Sequence, residues 1–418
     1  MTFDWTEPVL DEAINRLTYR WPSLDLIVEA DRITDAGQAE LWFFHPNETG
    51  NKLLHIAKVN LLSSSTMTQL FRRMLTHSED IPWPQVLTYI TKTTMEYQRR
   101  GESSVVLQPV SAEDMKPVFY IEPLVMKGVP SIIFGEKGVN KTTLGLTALG
   151  LIEMGESESP CGLVANLSAK TGMLDWEGTK ELTNYTLARL IESETIPYFE
   201  LNYLRCRNPL SDEINRVANF VHDRRIEVLL IDSLGQAAGS DRFDSSGKAA
   251  ALRFFECLRL LNITSLVIGQ TSKTEEGKKT IYGSTFFTYY ARNIFSLQSK
   301  EDTLNTDRLH LAIFHREGNY TKKYPPIGFC VDFTDTTIKI SQEAVSLSQF
   351  LEQASQTKQL LEFLQDGAKS KKAIADELSL NDNRAKSLLK YALKHQLVID
   401  LGAGMWGRLD TRDEEYTQ

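Results

Sequence analysis

The sequence predicts an α/β fold: a mostly parallel sheet with crossover helices, an α+β domain before it and a three-helix module with a β-hairpin after it. Three observations carry this reading. Between Val118 and Ser341, short β-rich runs alternate with helix-length segments, the pattern of strands joined by crossover helices. Within that region a Gly-rich loop stands between an apolar strand and an apolar helix. Polar stretches, GESS from Gly101 and a Ser/Gln-rich run over 342–356, set the region apart from what flanks it.

The elements follow in order. Residues 1–105 open with helical spacing at Val9, Ile14 and Leu17, continue through the strand-like LDLIVEADRI and AELWFFH, and add a third apolar stretch, LLHIAKVNLL. Two amphipathic segments, MTQLFRRML and WPQVLTYITKTTMEYQRR, complete an amino-terminal α+β domain. In the central domain, 118–341, the strand candidates are SIIF, TGMLDW, FELNYL, EVLLID, SLVIG and NIFSLQ, with HLAIFH and GFCVDF as an antiparallel extension. A linker is expected over 342–356. The segments over 357–410 read as helix, helix, helix and a wing of two short strands, LVIDLGAGMWGRL, which is a winged helix-turn-helix pattern.

Composition bounds the function classes. A chain of 418 residues with 42% apolar and 24% charged residues has the balance of folded globular proteins and is too long for one domain. The absence of an apolar run of bilayer-spanning length, and an opening without a basic stretch before an apolar one, lead us to expect a cytoplasmic protein without membrane association. Four cysteines, Cys161, Cys206, Cys257 and Cys330, offer no CxxC spacing and no dense disulfide framework. The net charge of −9 carries no global nucleic-acid signature, so charge has to be read by segment.

The most informative segment is Gly135-Glu136-Lys137-Gly138-Val139-Asn140-Lys141-Thr142-Thr143, a near match to G-x-x-x-x-G-K-[ST] between PSIIF and a helix-like TLGLTALGLIEMG. Backbone N–H groups at a helix N-terminus cradle phosphate oxygens, Lys141 meets the β and γ phosphates of ATP, and the Thr142 hydroxyl can ligate magnesium. Asn140 stands where the motif has Gly, and Asn tolerates positive φ better than other side chains. Asp232, ending the apolar run EVLLID, is the expected acid on the magnesium side. Glu177, closing TGMLDWE, is the expected water-positioning base, with helix capping as the alternative use of Asp175 or Glu177.

In this order, GEKGVNKTT, DWE, LLIDSLGQAAG, VIGQTSK and YGSTFFTYYARNIFSLQ resemble the RecA-fold ATPases of the RepA-like helicase group found in mobile-element proteins. The resemblance covers about residues 118–340. It implies a RecA-like P-loop core, a γ-phosphate sensor at Gln270 followed by Lys273, and correspondence of Gly283, Ser284 and Arg292 to the family's next segment. It also implies that His315-Arg316-Glu317-Gly318-Asn319 holds a basic residue, Arg316, reaching into a neighbour's nucleotide in a homo-oligomer such as a hexameric ring. Residues 1–105 resemble a domain that commonly precedes such ATPases, with a KVNLLSSS-like segment after paired strands.

From Thr357 to Arg408 nine basic residues face six acidic ones, a net of +3 within the acidic chain. Ser370 and Asn381 are candidate N-caps, and Arg384, Lys386, Lys390 and Lys394 spread over the polar faces of the third helix, a distribution suited to DNA phosphates. A protein-docking role is the alternative. The loops SDRFDSSGKA and SKTEEGKKT add Lys248, Lys278 and Lys279 as candidate DNA contacts. The expected function is therefore a DNA-associated, magnesium-dependent oligomeric ATPase. The rival readings are a nucleotide-gated DNA-binding regulator without turnover and a P-loop kinase acting on a small molecule.

Overall fold

The computed structural model describes residues 6–47, 50–101, 105–109, 111, 116–155, 158–239, 247–273, 279–281, 286–302, 305–344, 356–394 and 397–409. The amino-terminal part is an antiparallel meander of β1 (Val9–Ala13), β2 (Arg16–Trp21), β3 (Leu26–Asp31), β4 (Gln38–Asn47) and β5 (Gly50–Asn60), followed by α1 (Ser64–Leu75) and α2 (Trp83–Arg100). The helical spacing read at Val9, Ile14 and Leu17 is overturned, because Val9 pairs with Arg20 and Ala13 with Arg16 in a β-hairpin. Asn15 takes φ +55° at its turn, a left-handed conformation that ends any helix there. Leu17, Tyr19 and Trp21 then alternate into a core shared with α2. Tyr19 bonds Thr94 on that helix at 2.7 Å.

The central part begins with a small hairpin, β6 (Phe119–Ile121) and β7 (Val125–Met126). Strands and helices then alternate as β8 (Pro130–Gly135), α3 (Lys141–Met154), β9 (Thr171–Asp175), α4 (Lys180–Glu192), β10 (Asn202–Arg205), α5 (Leu210–Arg224), β11 (Val228–Asp232), α6 (Leu234–Ala238), α7 (Lys248–Leu261) and β12 (Thr264–Lys273). After β13 (Lys279–Ile281), which pairs back on β12, and α8 (Phe286–Tyr290) come β14 (Asn293–Glu301), β15 (Arg308–Gly318), β16 (Ile327–Phe333) and β17 (Ile338–Glu343). The main sheet runs β10, β9, β11, β12, β8, β14, β15, β16, β17. Pairing is parallel from β10 to β14 and antiparallel from β14 to β17. This mixed α/β architecture with a large, mostly parallel sheet fits a RecA-like core, and each strand candidate read from the sequence contributes to it.

Both faces of the parallel portion are covered, which is why its strands read as continuous apolar runs. Ile133, Met173, Leu230 and Ile268 pack toward α3 and α4; Ile132, Leu174, Ile231 and Val267 pack toward α5, α6 and α7. Helix α3 is buried along nearly all its length from Lys141 to Ile152, so its apolar residues show no single stripe.

The expected linker start is corrected: Gln342 and Glu343 belong to β17, pairing with Phe329 and Gly328. An edge strand is held by backbone hydrogen bonds that are indifferent to side-chain polarity, so a Ser/Gln-rich run hides it. The linker's expected end is corrected as well, since Gln356 opens a helix, and residues 345–355 between strand and helix lie outside the described residues. The carboxy-terminal module comprises α9 (Gln356–Phe363), β18 (Lys369–Ser370), α10 (Lys371–Glu377), α11 (Asp382–Lys394), β19 (Val398–Gly402) and β20 (Met405–Arg408), with its own core around Leu360, Ile374, Leu389 and Val398. Ser370 caps α10 through Ala373 N at 3.1 Å, and Asn381 accepts from Arg384 N at 2.9 Å. Among the described residues, no helix is long and apolar enough to cross a membrane.

Candidate phosphate-binding site

Three parallel strands deliver the site to their shared carboxyl end. Gly135 ends β8, Asp232 ends β11, and Asp175 ends β9, directly opposite Asp232 in register. Between β8 and α3 the chain turns through Gly138 at φ +85° and Asn140 at φ +58°. Asn140 thus adopts the left-handed conformation that Gly takes most easily, and its carbonyl accepts the first α3 hydrogen bond from Leu144 N at 3.1 Å. Gly135 is required for a different reason: a Cβ there would stand 2.5 Å from the Leu297 carbonyl oxygen of β14.

Lys141 is buried at the first turn of α3, its Nζ donating to the carbonyls of Gly135 at 3.0 Å and Glu136 at 2.6 Å. Burial lowers its pKa, while the charges of Asp232, Glu177 and Glu136 pull the other way. The Thr142 hydroxyl donates to Asp232 Oδ2 at 2.5 Å. Asp232 is pushed up to about 6, first by burial and then by the charges of Glu177 and Asp175, against the Thr142 hydrogen bond and Lys141. Glu136 and Lys137 are exposed on the loop, Val139 is buried beneath it, and Thr143 contacts the Asn140 side chain at 3.4 Å.

Glu177 lies beyond the end of β9, and two groups converge on its Oε1: the Ser233 hydroxyl and Gln270 Nε2, the latter at 3.0 Å. Asp175 does something else. It is buried, accepts from the backbone N–H groups of Glu177 and Gly178 at 2.9 and 2.7 Å, and also takes the Tyr203 hydroxyl at 2.7 Å and Arg205 at 3.3 Å. The carboxylate pair therefore divides: Asp175 fastens the turn and Glu177 stands at the site. Ser233 and the Tyr203–Arg205 pair were missed in the sequence, although a hydroxyl directly after the strand-end acid in LLIDS was a usable signal.

The donor set can be tested against ATP and magnesium. The hydroxyl of Thr142 and the carboxylate of Asp232 are hard oxygen donors already in contact, which suits magnesium. A buried lysine at a helix N-terminus behind a loop with two positive-φ residues suits a phosphate chain. The residues fit both groups.

Other expected residues fall elsewhere. Arg316 donates from Nε to Ser296 Oγ at 2.7 Å across β14 and β15 and stacks over Phe314 at 5.5 Å, with burial lowering its pKa. Lys248 lies over the Phe286 ring at 5.7 Å. Lys278, Gly283 and Ser284 lie outside the described residues, as do the side chains of Lys273, Lys279 and Lys394. On α11, Arg384, Lys386 and Lys390 are exposed, opposite the buried Ala385, Leu388 and Leu389.

Comparison with known proteins gives little beyond this geometry. No known family model matches the chain, and no curated protein matches it. Among solved structures, a KaiC-like protein from the archaeon Pyrococcus horikoshii aligns with 57% of this chain and 100% of its own, at 15% identity and a TM-score of 0.39.

Proposed function

We propose that this protein is a magnesium-dependent ATPase of RepA-like type that acts on DNA as a homo-oligomer. The observation that carries the proposal is convergence: Lys141 and Thr142 from α3, Asp232 from β11, Gln270 from β12 and Glu177 from the turn after β9 meet at the carboxyl end of the parallel strands. Magnesium, held through Thr142 and Asp232, would supply positive charge to the β and γ phosphates. Lys141, released from its two loop carbonyls, turns its ammonium group to the phosphate chain. Glu177 positions and deprotonates the attacking water, oriented by Ser233 and Gln270, and Gln270 reports the γ-phosphate to the strand end that carries it. Arg316 acts on a neighbour's nucleotide within the oligomer.

The carboxy-terminal module supplies the DNA contact as a winged helix-turn-helix. Its third helix, α11, presents Lys386 and Lys390 on one flank of the exposed side and Arg384 on the other, so both phosphate walls of a major groove have a basic partner. Phosphate release measured without DNA, with single strands and with duplex tests the whole reading. Turnover stimulated by DNA supports it; nucleotide binding without turnover under all three conditions replaces it with a nucleotide-gated regulator.

A further inference from the structure

Away from the phosphate loop, β15, β16 and β17 form the antiparallel end of the sheet, and one face of it gathers His310, Cys330 and Glu343 with Asp302 at the end of β14. His310 and Cys330 are directly opposite in register, so their side chains share a face. Glu343 pairs with Gly328, whose missing side chain leaves the Glu343 carboxylate a clear path across β16. One ligand atom from each of His310, Cys330 and Glu343 lies within 4.8 Å of the others. Arg308 is paired with Asp332 at 2.7 Å, and its charge also reaches Asp302 and Cys330.

The imidazole of His310 is the telling group. Nδ1 stands 2.7 Å from Glu343 Oε2 and Nε2 stands 3.1 Å from Asp302 Oδ2. A neutral imidazole has one N–H and donates to only one of these acceptors, whereas the protonated ring donates to both, and the hydrogen bonds to Glu343 and Asp302 hold its pKa above the ordinary value. A cation can take the place of the Nδ1 proton: Nε2–H still donates to Asp302, and Glu343 turns its oxygen from the ring nitrogen to the ion. This is the carboxylate–histidine–metal relay that orients histidine ligands in metal sites.

We propose that His310 Nδ1, the Cys330 thiolate and Glu343 bind a zinc ion, oriented by Asp302, that clasps β15, β16 and the edge strand β17. Mixed sulfur, nitrogen and oxygen donors favour zinc over magnesium or calcium, which prefer oxygen alone. Bond lengths of roughly 2.0–2.3 Å place tetrahedral ligands about 3.3–3.8 Å apart. Closing from 4.8 Å is within the reach of rotamer changes on three half-buried side chains. Three protein ligands leave the fourth position to water. The ion displaces one proton from Cys330 on binding.

Cobalt(II) alone is the probe, titrated into the full-length protein after chelator treatment, because a thiolate–cobalt bond gives a near-ultraviolet charge-transfer band that an all-oxygen magnesium site cannot give. Saturation at one equivalent with that band, its displacement by zinc and its loss in C330S are expected. D302N should keep the band but weaken cobalt binding 10–100-fold. Absence of the band in the wild-type protein overturns the proposal, as does a full band in C330S, which would move the thiolate to Cys161, Cys206 or Cys257. Should C330S fail to fold, H310Q decides: it retains the thiol, and unchanged cobalt affinity in the folded variant overturns the site.

Discussion

On the proposed function, Lys141 and Glu177 do different work at the same site, and single substitutions separate them. Lys141 carries the positive charge behind the phosphate loop, so Lys141→Ala should weaken ATP binding strongly. On the same reading Glu177 meets the attacking water and not the phosphate chain, so Glu177→Gln should leave binding within a few-fold of normal and lower turnover by about 10²–10⁴. Nucleotide fluorescence titration and phosphate release measure the two effects. Normal hydrolysis by the Glu177→Gln protein would assign the base to another carboxylate. Asp175 is a poor candidate for that substitute, since its oxygens are already engaged by Tyr203, Arg205 and two backbone donors.

At the scale of the element, the loop between β8 and α3 depends on one residue that its motif does not anticipate. Asn140 holds φ +58° and ψ +33°, a conformation that costs a β-branched side chain about 1–2 kcal/mol or more. Asn140→Gly should therefore keep or slightly raise stability and preserve ATP binding. Asn140→Val should lower stability by about that amount and weaken binding. Thermal melts with and without ATP distinguish these outcomes, and equal behaviour of the two variants would show that the loop does not hold this shape in solution. Helix α3 then carries the loop rigidly, because its buried faces lock it between the sheet and α4.

At the scale of the whole molecule, the reading requires subunits and DNA. If a neighbour completes each site through Arg316, activity per subunit should rise with protein concentration, and constant specific activity from a species that scattering shows to be monomeric would end the trans role. Removing residues 349–418 deletes the module whose stretch from Thr357 to Arg408 carries the +3 charge, and should abolish most duplex binding while leaving ATP binding at Lys141 intact. With four phosphate contacts, raising salt from roughly 50 to 200 mM should weaken duplex binding by about two decades. A truncated protein with full affinity and the same salt slope would move the DNA contact to the loops of the ATPase domain and leave α11 to a protein partner.

Much of this was legible in the chain itself. The alternation of apolar runs and helix-length segments specified a covered parallel sheet, and the spacing of Gly135, Lys141 and Thr142 specified a tight loop between a strand and a helix that starts at Lys141, because both depend on local periodicity and backbone conformation. Asp232 and Glu177 were legible as strand-end acids for the same reason. The roles of the two carboxylates in DWE were not, since Asp175 and Glu177 differ only in which neighbours the folded sheet brings to them. The β1–β2 hairpin was misread as a helix because a short apolar spacing suits either period until Asn15 turns and α2 covers Leu17, Tyr19 and Trp21. His310, Cys330 and Glu343 lie far apart along the chain and share no motif; only the register of three antiparallel strands puts them on one face. Local periodicity is written in sequence, whereas proximity across strands is decided by pairing and packing over the whole sheet.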